Sequence, residues 1–215
     1  MMNNEPITIT SVNIGRPARL QVGSVSLETG FFKQPAQAPV DVTFEGLNGD
    51  FIADRSRHGG PDQALYLFSE EDNTWWAGKL GRELSPGYFG ENLTLSAWWG
   101  ELRVGDRLQL GNLLLEVSFP RIPCASLSAR VGDAQFIKTF AASRRAGVYA
   151  RVLAEGVVNA GQQFSVTPAP ASYPLTDELL DVWYAKPRDR ELLRRALEAP
   201  IAERGRKAFE YWLDE

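Results

Sequence analysis

Pro120-Arg121-Ile122-Pro123-Cys124 holds the single cysteine of the chain. Two prolines restrict φ on either side of Ile122, and Ala125 to Arg130 reads as a helix opening, which predicts a thiol near a helix N-terminus. The positive end of a first helical turn and the guanidinium of Arg121 both favour an ionised sulfur, the form that ligates a metal or attacks an electrophile. A small, buried, inert side chain is the other reading of a lone cysteine. His58-Gly59-Gly60-Pro61-Asp62 carries the single histidine. Adjacent glycines let a backbone approach a ligand and turn N–H groups toward an anion, although the same run also reads as a plain turn behind a surface histidine.

Three further clusters hold side chains that could grip an anion. Lys33 lies in Gly30-Phe31-Phe32-Lys33-Gln34-Pro35, Asn92 in Phe89-Gly90-Glu91-Asn92-Leu93-Thr94, and Arg145 in Ser143-Arg144-Arg145-Ala146-Gly147. Paired arginines beside a glycine suit bidentate contact with an anion, while a solvated lysine, a turn and a surface loop are the ordinary readings of the three. One histidine and one cysteine exclude a zinc cluster of nitrogen and sulfur ligands, and neither a P-loop nor a dinucleotide fingerprint is present. A cysteine–histidine hydrolase built from Cys124 and His58 requires the two to meet, which spacing alone leaves open.

The elements that must position these residues are mostly strands. Ile7 to Asn13, Val40 to Phe44 and Arg107 to Leu110 alternate with period two, and Leu113 to Phe119 is a more continuous apolar strand that feeds the cysteine after a Gly111-Asn112 turn. Tyr149 to Leu153 and Gln163 to Val166 read as a closing pair. Many short strands separated by turns predict a mainly β fold, a closed or nearly closed barrel, because closure removes exposed edges. Inserted helices are expected from Ser69, an N-cap with an acidic first turn, through Trp75, Trp76 and Leu80 to Gly81, and from Asp133 to Ala142. Trp75-Trp76 and Trp98-Trp99 read as packing aromatics.

Thr167-Pro168-Ala169-Pro170-Ala171-Ser172 marks a boundary, dividing a barrel domain (residues 1–168) from a three-helix module (172–215). In the module Thr176 is expected to cap a helix to Tyr184, followed by Arg188 to Leu197 and Ile201 to Leu213. Its Leu179, Trp183, Leu193 and Phe209 read as a small core or docking face without chemistry of its own.

The 215 residues and 44% hydrophobic content suffice for a proper core, and a net charge of −4 lacks the basic excess that nucleic acid or an anionic membrane would demand. The start Met1-Met2-Asn3-Asn4-Glu5-Pro6 shows no charged and apolar leader, a lone cysteine forms no internal disulfide, and no apolar run approaches the ~20 residues of a membrane span. The expectation is a cytoplasmic protein, with exposed tail aromatics suited to a homodimer.

In order and spacing these clusters resemble the MOSC domain, the C-terminal domain of molybdenum cofactor sulfurases, and within it the YiiM-like branch. The resemblance rests on Gly30 to Pro35, Gly46-Leu47-Asn48-Gly49-Asp50 with Ala53-Asp54, His58 to Asp62, Phe89 to Thr94, Pro120 to Cys124, and Arg145-Ala146-Gly147 running into Tyr149 to Val152. It covers residues from about 7 to 167, and the tail resembles the three-helix module of that branch. It implies a β-barrel that binds the pterin molybdenum cofactor (molybdopterin), with Cys124 as metal ligand or sulfur carrier. Lys33, Gly59, Gly60, Asn92, Arg121 and Arg145 would surround the cofactor, and His58 would be the catalytic acid. The activity it implies is reduction of N-hydroxylated bases and hydroxylamines, a detoxification of base analogues. An external reductase, a flavin or iron–sulfur protein, would supply the electrons, since the chain carries neither motif. Gln63 after Asp62, Val148 before Tyr149 and Gln162 after Gly161 depart from the family pattern. Two other functions compete: a carrier of the cofactor or of a persulfide on Cys124 without turnover, and an adaptor whose tail binds a protein.

Overall fold

The structure, a computed structural model, describes residues 6–55 and 58–215. Met1 to Glu5, and Ser56 and Arg57 at the end of the polar run before His58, lie outside the described residues. Among the described residues thirteen strands follow in chain order: β1 (Ile7–Ile14), β2 (Ala18–Val22), β3 (Val25–Thr29), β4 (Gln34–Pro35), β5 (Val40–Thr43), β6 (Gly46–Leu47), β7 (Leu65–Ser69), β8 (Leu93–Leu95), β9 (Arg107–Leu110), β10 (Leu113–Pro120), β11 (Val148–Ala154), β12 (Gly156–Val158) and β13 (Gln163–Thr167). The α-helices are α1 (Glu70–Leu80), α2 (Ala125–Val131), α3 (Phe136–Ala142), α4 (Thr176–Tyr184), α5 (Arg190–Leu197) and α6 (Glu203–Asp214).

Seven strands close into a mixed barrel in the order β13-β9-β10-β11-β7-β8-β1, with β1 returning to β13 through Ile7 and Phe164. The ring is antiparallel except between β7 and β8, which α1 links as a crossover. Every other residue of the alternating segments points inward, so Ile9, Leu67, Leu95, Leu108, Leu115 and Val117 fill the interior without solvent exposure. The expected pairing of β11 with β13 is corrected: β11 lies between β10 and β7, while β13 joins β9 to β1. Both strands therefore help to close the ring, on opposite flanks of the β9–β10 hairpin.

Helix α1 begins as its acidic first turn predicts, with Ser69 Oγ accepting the Asp72 N–H, and ends at Gly81 in the left-handed region. Trp76 is buried against Phe89, Phe136 and Phe140, an aromatic cluster that fastens α1 and α3 to the outside of the barrel. Helix α3 starts at Phe136, three residues later than expected, because Asp133 Oδ1 accepts the Gln135 N–H in a turn.

The C-terminal helices dock against the end of β10. Phe119 and Val104 of the barrel join Leu179, Val182, Leu193, Ile201 and Phe209 in one buried cluster. Thr176 does not cap α4: Leu175 holds that position, its N–H donates to Glu178, and the Thr176 hydroxyl donates to Leu102 C=O. The Pro/Ala-rich connection is itself pinned, its Ala169 N–H donating to Asp106 at 2.8 Å.

Candidate active site

Strand β10 runs into the stiff Pro120–Pro123 segment, and the turn ends with Cys124 in extended geometry as the N-cap of α2. Arg121 Nη2 lies 3.5 Å from Cys124 Sγ, and Nη1 donates to Ile122 C=O. The guanidinium lies over a pair of adjoining phenol rings, 5.6 Å from the Tyr66 centroid and 5.9 Å from that of Tyr149, whose own centroids are 5.5 Å apart. Tyr66 and Tyr149 are cross-strand partners on β7 and β11, and Tyr66 is fixed in turn by its hydroxyl bond to Ala146 C=O at 2.8 Å.

Burial pushes the Cys124 thiol up, but the charge and hydrogen bond of Arg121, with the N–H groups of Leu127 and Ser126, bring it below its ordinary value. Burial opposes the charge on Arg121, whose pKa is nevertheless held above the usual by Tyr149, Cys124 and Tyr66. Burial raises the pKa of both phenols, so they are neutral at neutral pH. Among these three groups it is Cys124 whose ionised form the guanidinium favours over its own burial. Arg121→Gln should lower the rate of Cys124 alkylation by iodoacetamide at pH 7 by about tenfold and move its pH profile upward, since the thiolate exists only above the thiol pKa. An unchanged profile would remove Arg121 from control of the sulfur.

Cys124 opens on a cavity of about 530 Å³ between barrel, α2 and the C-terminal helices. Lys33 reaches it from the loop before β4, with Nζ 2.6 Å from Asp50 Oδ1. Asp50 also accepts the Gly15 N–H at 2.6 Å and Asn92 Nδ2 at 2.9 Å. Asn92 Oδ1 accepts the Tyr66 N–H at 3.1 Å, which ties the lysine–aspartate pair to the strand carrying the phenol. Burial lowers the Lys33 pKa against the opposing pull of Asp50. Behind it Glu91 is fully buried and pushed up to about 7 by burial, although the N–H groups of Gly87 and Phe89 and the Thr94 hydroxyl donate to it.

His58 and Gly59 line the same cavity, so the imidazole and the sulfur share one chamber. Gly59 has φ of 74°, and a Cβ there would stand 2.7 Å from Ile52 Cδ1, so the backbone approach needs glycine. Gly60 is not part of the lining. It caps the short 3₁₀ turn Pro61–Gln63, where its positive φ shapes the chain without facing the cavity.

Arg145, expected at the cofactor, is not among the residues that line this cavity. Its Nη1 pairs with Asp72 Oδ1 at 2.5 Å, its guanidinium lies 5.2 Å from the Trp75 ring, and its C=O accepts Trp76 Nε1, which makes it a clasp between α1 and the loop before β11. The tail, expected to carry no chemistry of its own, contributes Trp183, Ala202, Arg204 and Gly205 to the lining of the cavity. Asp50, Tyr66 and Tyr149 are the other site residues that sequence reasoning missed. Their one legible signal was position: Asp50 closes a turn-rich run, and each tyrosine stands between apolar residues of its strand, Leu65 and Leu67 on β7 and Val148 and Ala150 on β11.

Among the described residues no three His, Cys, Asp or Glu side chains are grouped to hold a metal ion, and no helix is long and apolar enough to cross a membrane. A metal at Cys124 would therefore have to arrive with organic ligands of its own.

The MOSC domain model matches residues 54–165, and this chain belongs to the MOSC domain family. It is 36% identical over 161 residues to YflK of Bacillus subtilis, covering 74% of this chain and 73% of that protein. It is 31% identical over 175 residues to a protein named "Reductase" from Gibberella moniliformis, of which it covers 30% and which covers 79% of this chain. The crystal structure of YiiM from Geobacillus stearothermophilus superposes with a TM-score of 0.79 at 25% identity, over 97% of this chain and all of that one. That full-length match extends the YiiM-like fold through the C-terminal helices.

Proposed function

We propose that this chain is a molybdenum-cofactor-dependent reductase of N-hydroxylated compounds, acting on bases and hydroxylamines with electrons from an external reductase. The observation that carries the reading is the Cys124 sulfur, which accepts a hydrogen bond from buried Arg121 and lines a chamber that Lys33 and His58 also line. The residues fit such a cofactor. A soft thiolate suits a molybdenum centre whose remaining ligands are a dithiolene, and Arg121 and Lys33 offset the negative charge of the bound group. When bound, the cofactor would supply two-electron reduction and an acceptor for the substrate oxygen.

The chain's own part is to bind, orient and deliver protons. Cys124 would hold the metal, and Arg121 favours the ionised form of its sulfur. Asp50 and Asn92 fix the Lys33 ammonium on the cavity wall. His58 gives a proton to the leaving oxygen as the N–O bond breaks. The balance is R–NHOH plus two electrons and two protons to R–NH₂ and water. The name of the Gibberella relative and the YiiM-like fold support a small-molecule reductase.

Protein from molybdate-supplied cells should carry about one molybdenum per chain and, with reduced viologen as donor, convert an N-hydroxylated base to its amine. A persulfide on Cys124 with neither molybdenum nor turnover would replace this reading with a sulfur carrier.

A further inference from the structure

Strand β11 alternates, so Val148 and Ala150 turn into the barrel core while Tyr149 stands on the outer face. There it pairs with Tyr66 of β7 on one side and with Phe119 of β10 on the other, and all three residues line the cavity. An irregularity in register between Val117 and Phe119 is what sets Phe119 opposite Tyr149.

The two phenols are used differently. Tyr66 donates its hydroxyl to Ala146 C=O at 2.8 Å, and the carboxylates that act on it are Glu91 and Asp72, away from the sulfur. Among the described residues no group donates to or accepts from the Tyr149 hydroxyl. Its oxygen is not sealed off either, unlike Asn73 Oδ1 and Ser128 Oγ, so a hydroxyl that lacks an acceptor opens on the cavity. The titratable groups that act on it are Arg121, Cys124 and Arg204, which places it at the sulfur's end of the pair.

The Arg121 guanidinium lies 5.9 Å from the Tyr149 ring centroid and favours negative charge on the phenol oxygen, which makes the hydroxyl a stronger donor. Burial outweighs that pull and keeps the proton in place, so at neutral pH the group donates without carrying charge. The walls beside it, Phe31, Phe119 and Ile122, are apolar, and an oxygen that loses its water on entering here needs a donor. We propose that Tyr149 is a substrate-binding residue whose hydroxyl donates a hydrogen bond to an oxygen atom of the ligand brought up to Cys124. On the reductase reading, on which only this assignment rests, that atom is the oxygen of the N–OH group, and the bond distinguishes the substrate from the amine it becomes.

The test compares full-length wild-type protein with Tyr149→Phe, which keeps a ring beneath Arg121 and removes a hydroxyl that no protein group uses. The urea midpoint should therefore stay with wild type, and a lower one would show that the hydroxyl serves the fold, overturning the proposal. Cys124 is then alkylated at one pH by iodoacetamide, whose carbonyl oxygen can accept a hydrogen bond, and by iodoethane, which has no acceptor. The ratio of the two rates cancels any change in thiolate population, and it should fall about fivefold in the variant, the worth of one neutral hydrogen bond. In molybdenum-loaded protein with reduced viologen, KM for an N-hydroxylated base should rise by about the same factor, while inhibition by the parent amine, which lacks the oxygen, keeps its wild-type strength. In an active enzyme an unchanged KM overturns the assignment to the N–OH oxygen. Wild-type protein that reduces no N-hydroxylated compound would defeat the reductase reading instead, and the alkylation ratio then decides the role of Tyr149: a fall supports a donor at the sulfur, and an unchanged ratio overturns it.

Discussion

Cys124→Ser should abolish reduction of N-hydroxylated substrates, lowering the rate by at least about 10³-fold, and should reduce molybdenum per chain, while the protein stays folded. The hydroxyl of serine has nearly the shape of the thiol but does not ionise near neutrality, even beside a guanidinium, so a metal held as proposed would lose an anionic soft ligand. The fold is affected far less. Cys124 is only partly buried at the wall of a cavity, and Arg121 keeps its bond to Ile122 C=O when its counter-ion is removed. The expected cost is about 1–2 kcal/mol, the penalty for leaving one charge-assisted bond unmade where solvent can reach. Three measurements check the argument: substrate turnover with an artificial donor, molybdenum by elemental analysis, and urea unfolding. Wild-type turnover in the variant would remove Cys124 from the mechanism. Loss of turnover with full molybdenum would reassign the sulfur from metal ligand to a later step.

The sulfur and its cation were legible because they are close in sequence: Arg121 and Cys124 sit three residues apart on a proline-stiffened segment, where local geometry decides their contact. Residues that act across strands were not. Tyr66 and Tyr149 meet beneath Arg121 only because β7 and β11 pair in a particular register, and a slip of one residue in either strand would turn its ring away from the other. Arg145 shows the converse. By type and neighbours it looked as apt an anion grip as Arg121, yet its carboxylate partner Asp72 lies 73 residues earlier on α1, out of reach of any local pattern. In the tail, the spacing of Leu179, Leu193 and Phe209 marked an apolar face, but periodicity does not say what a face will cover. That it covers Phe119, one strand-end residue that also lines the cavity, is a fact of tertiary packing. The barrel itself was readable from alternation and turns, whereas the strand order required the crossover through α1 that sets β7 and β8 parallel.

Phe119→Ala should loosen the C-terminal helices and enlarge the cavity in one step. The ring is 5% exposed, meets Trp183 edge-on at 5.8 Å and Phe209 at 5.9 Å, and is the surface against which Gly205 lies. Removing it deletes most of the aromatic contact between the barrel and the helices, at a cost of about 3–5 kcal/mol. The loss is uneven. Barrel residues such as Leu115 and Val117 belong to a separate buried cluster and keep their neighbours, so α4 and α6 should unfold at lower denaturant than the barrel. Tryptophan emission would report this directly, because Trp183 and Trp212 belong to the affected cluster. Alkylation of Cys124 should remain close to wild type, since Arg121, Tyr66 and Tyr149 are held by the barrel, while substrate KM rises because Trp183 and Arg204 leave the mouth of the cavity. Phe119→Leu, which refills much of the volume, should recover most of the stability but not the edge-on ring contacts. A single unfolding transition within about 1 kcal/mol of wild type, with an unchanged KM, would show that the helices neither depend on this contact nor shape the site. Separation of the two effects, with a fast-reacting thiol in a protein that binds substrate poorly, would place the reactive group on the barrel and the recognition surface on the helices.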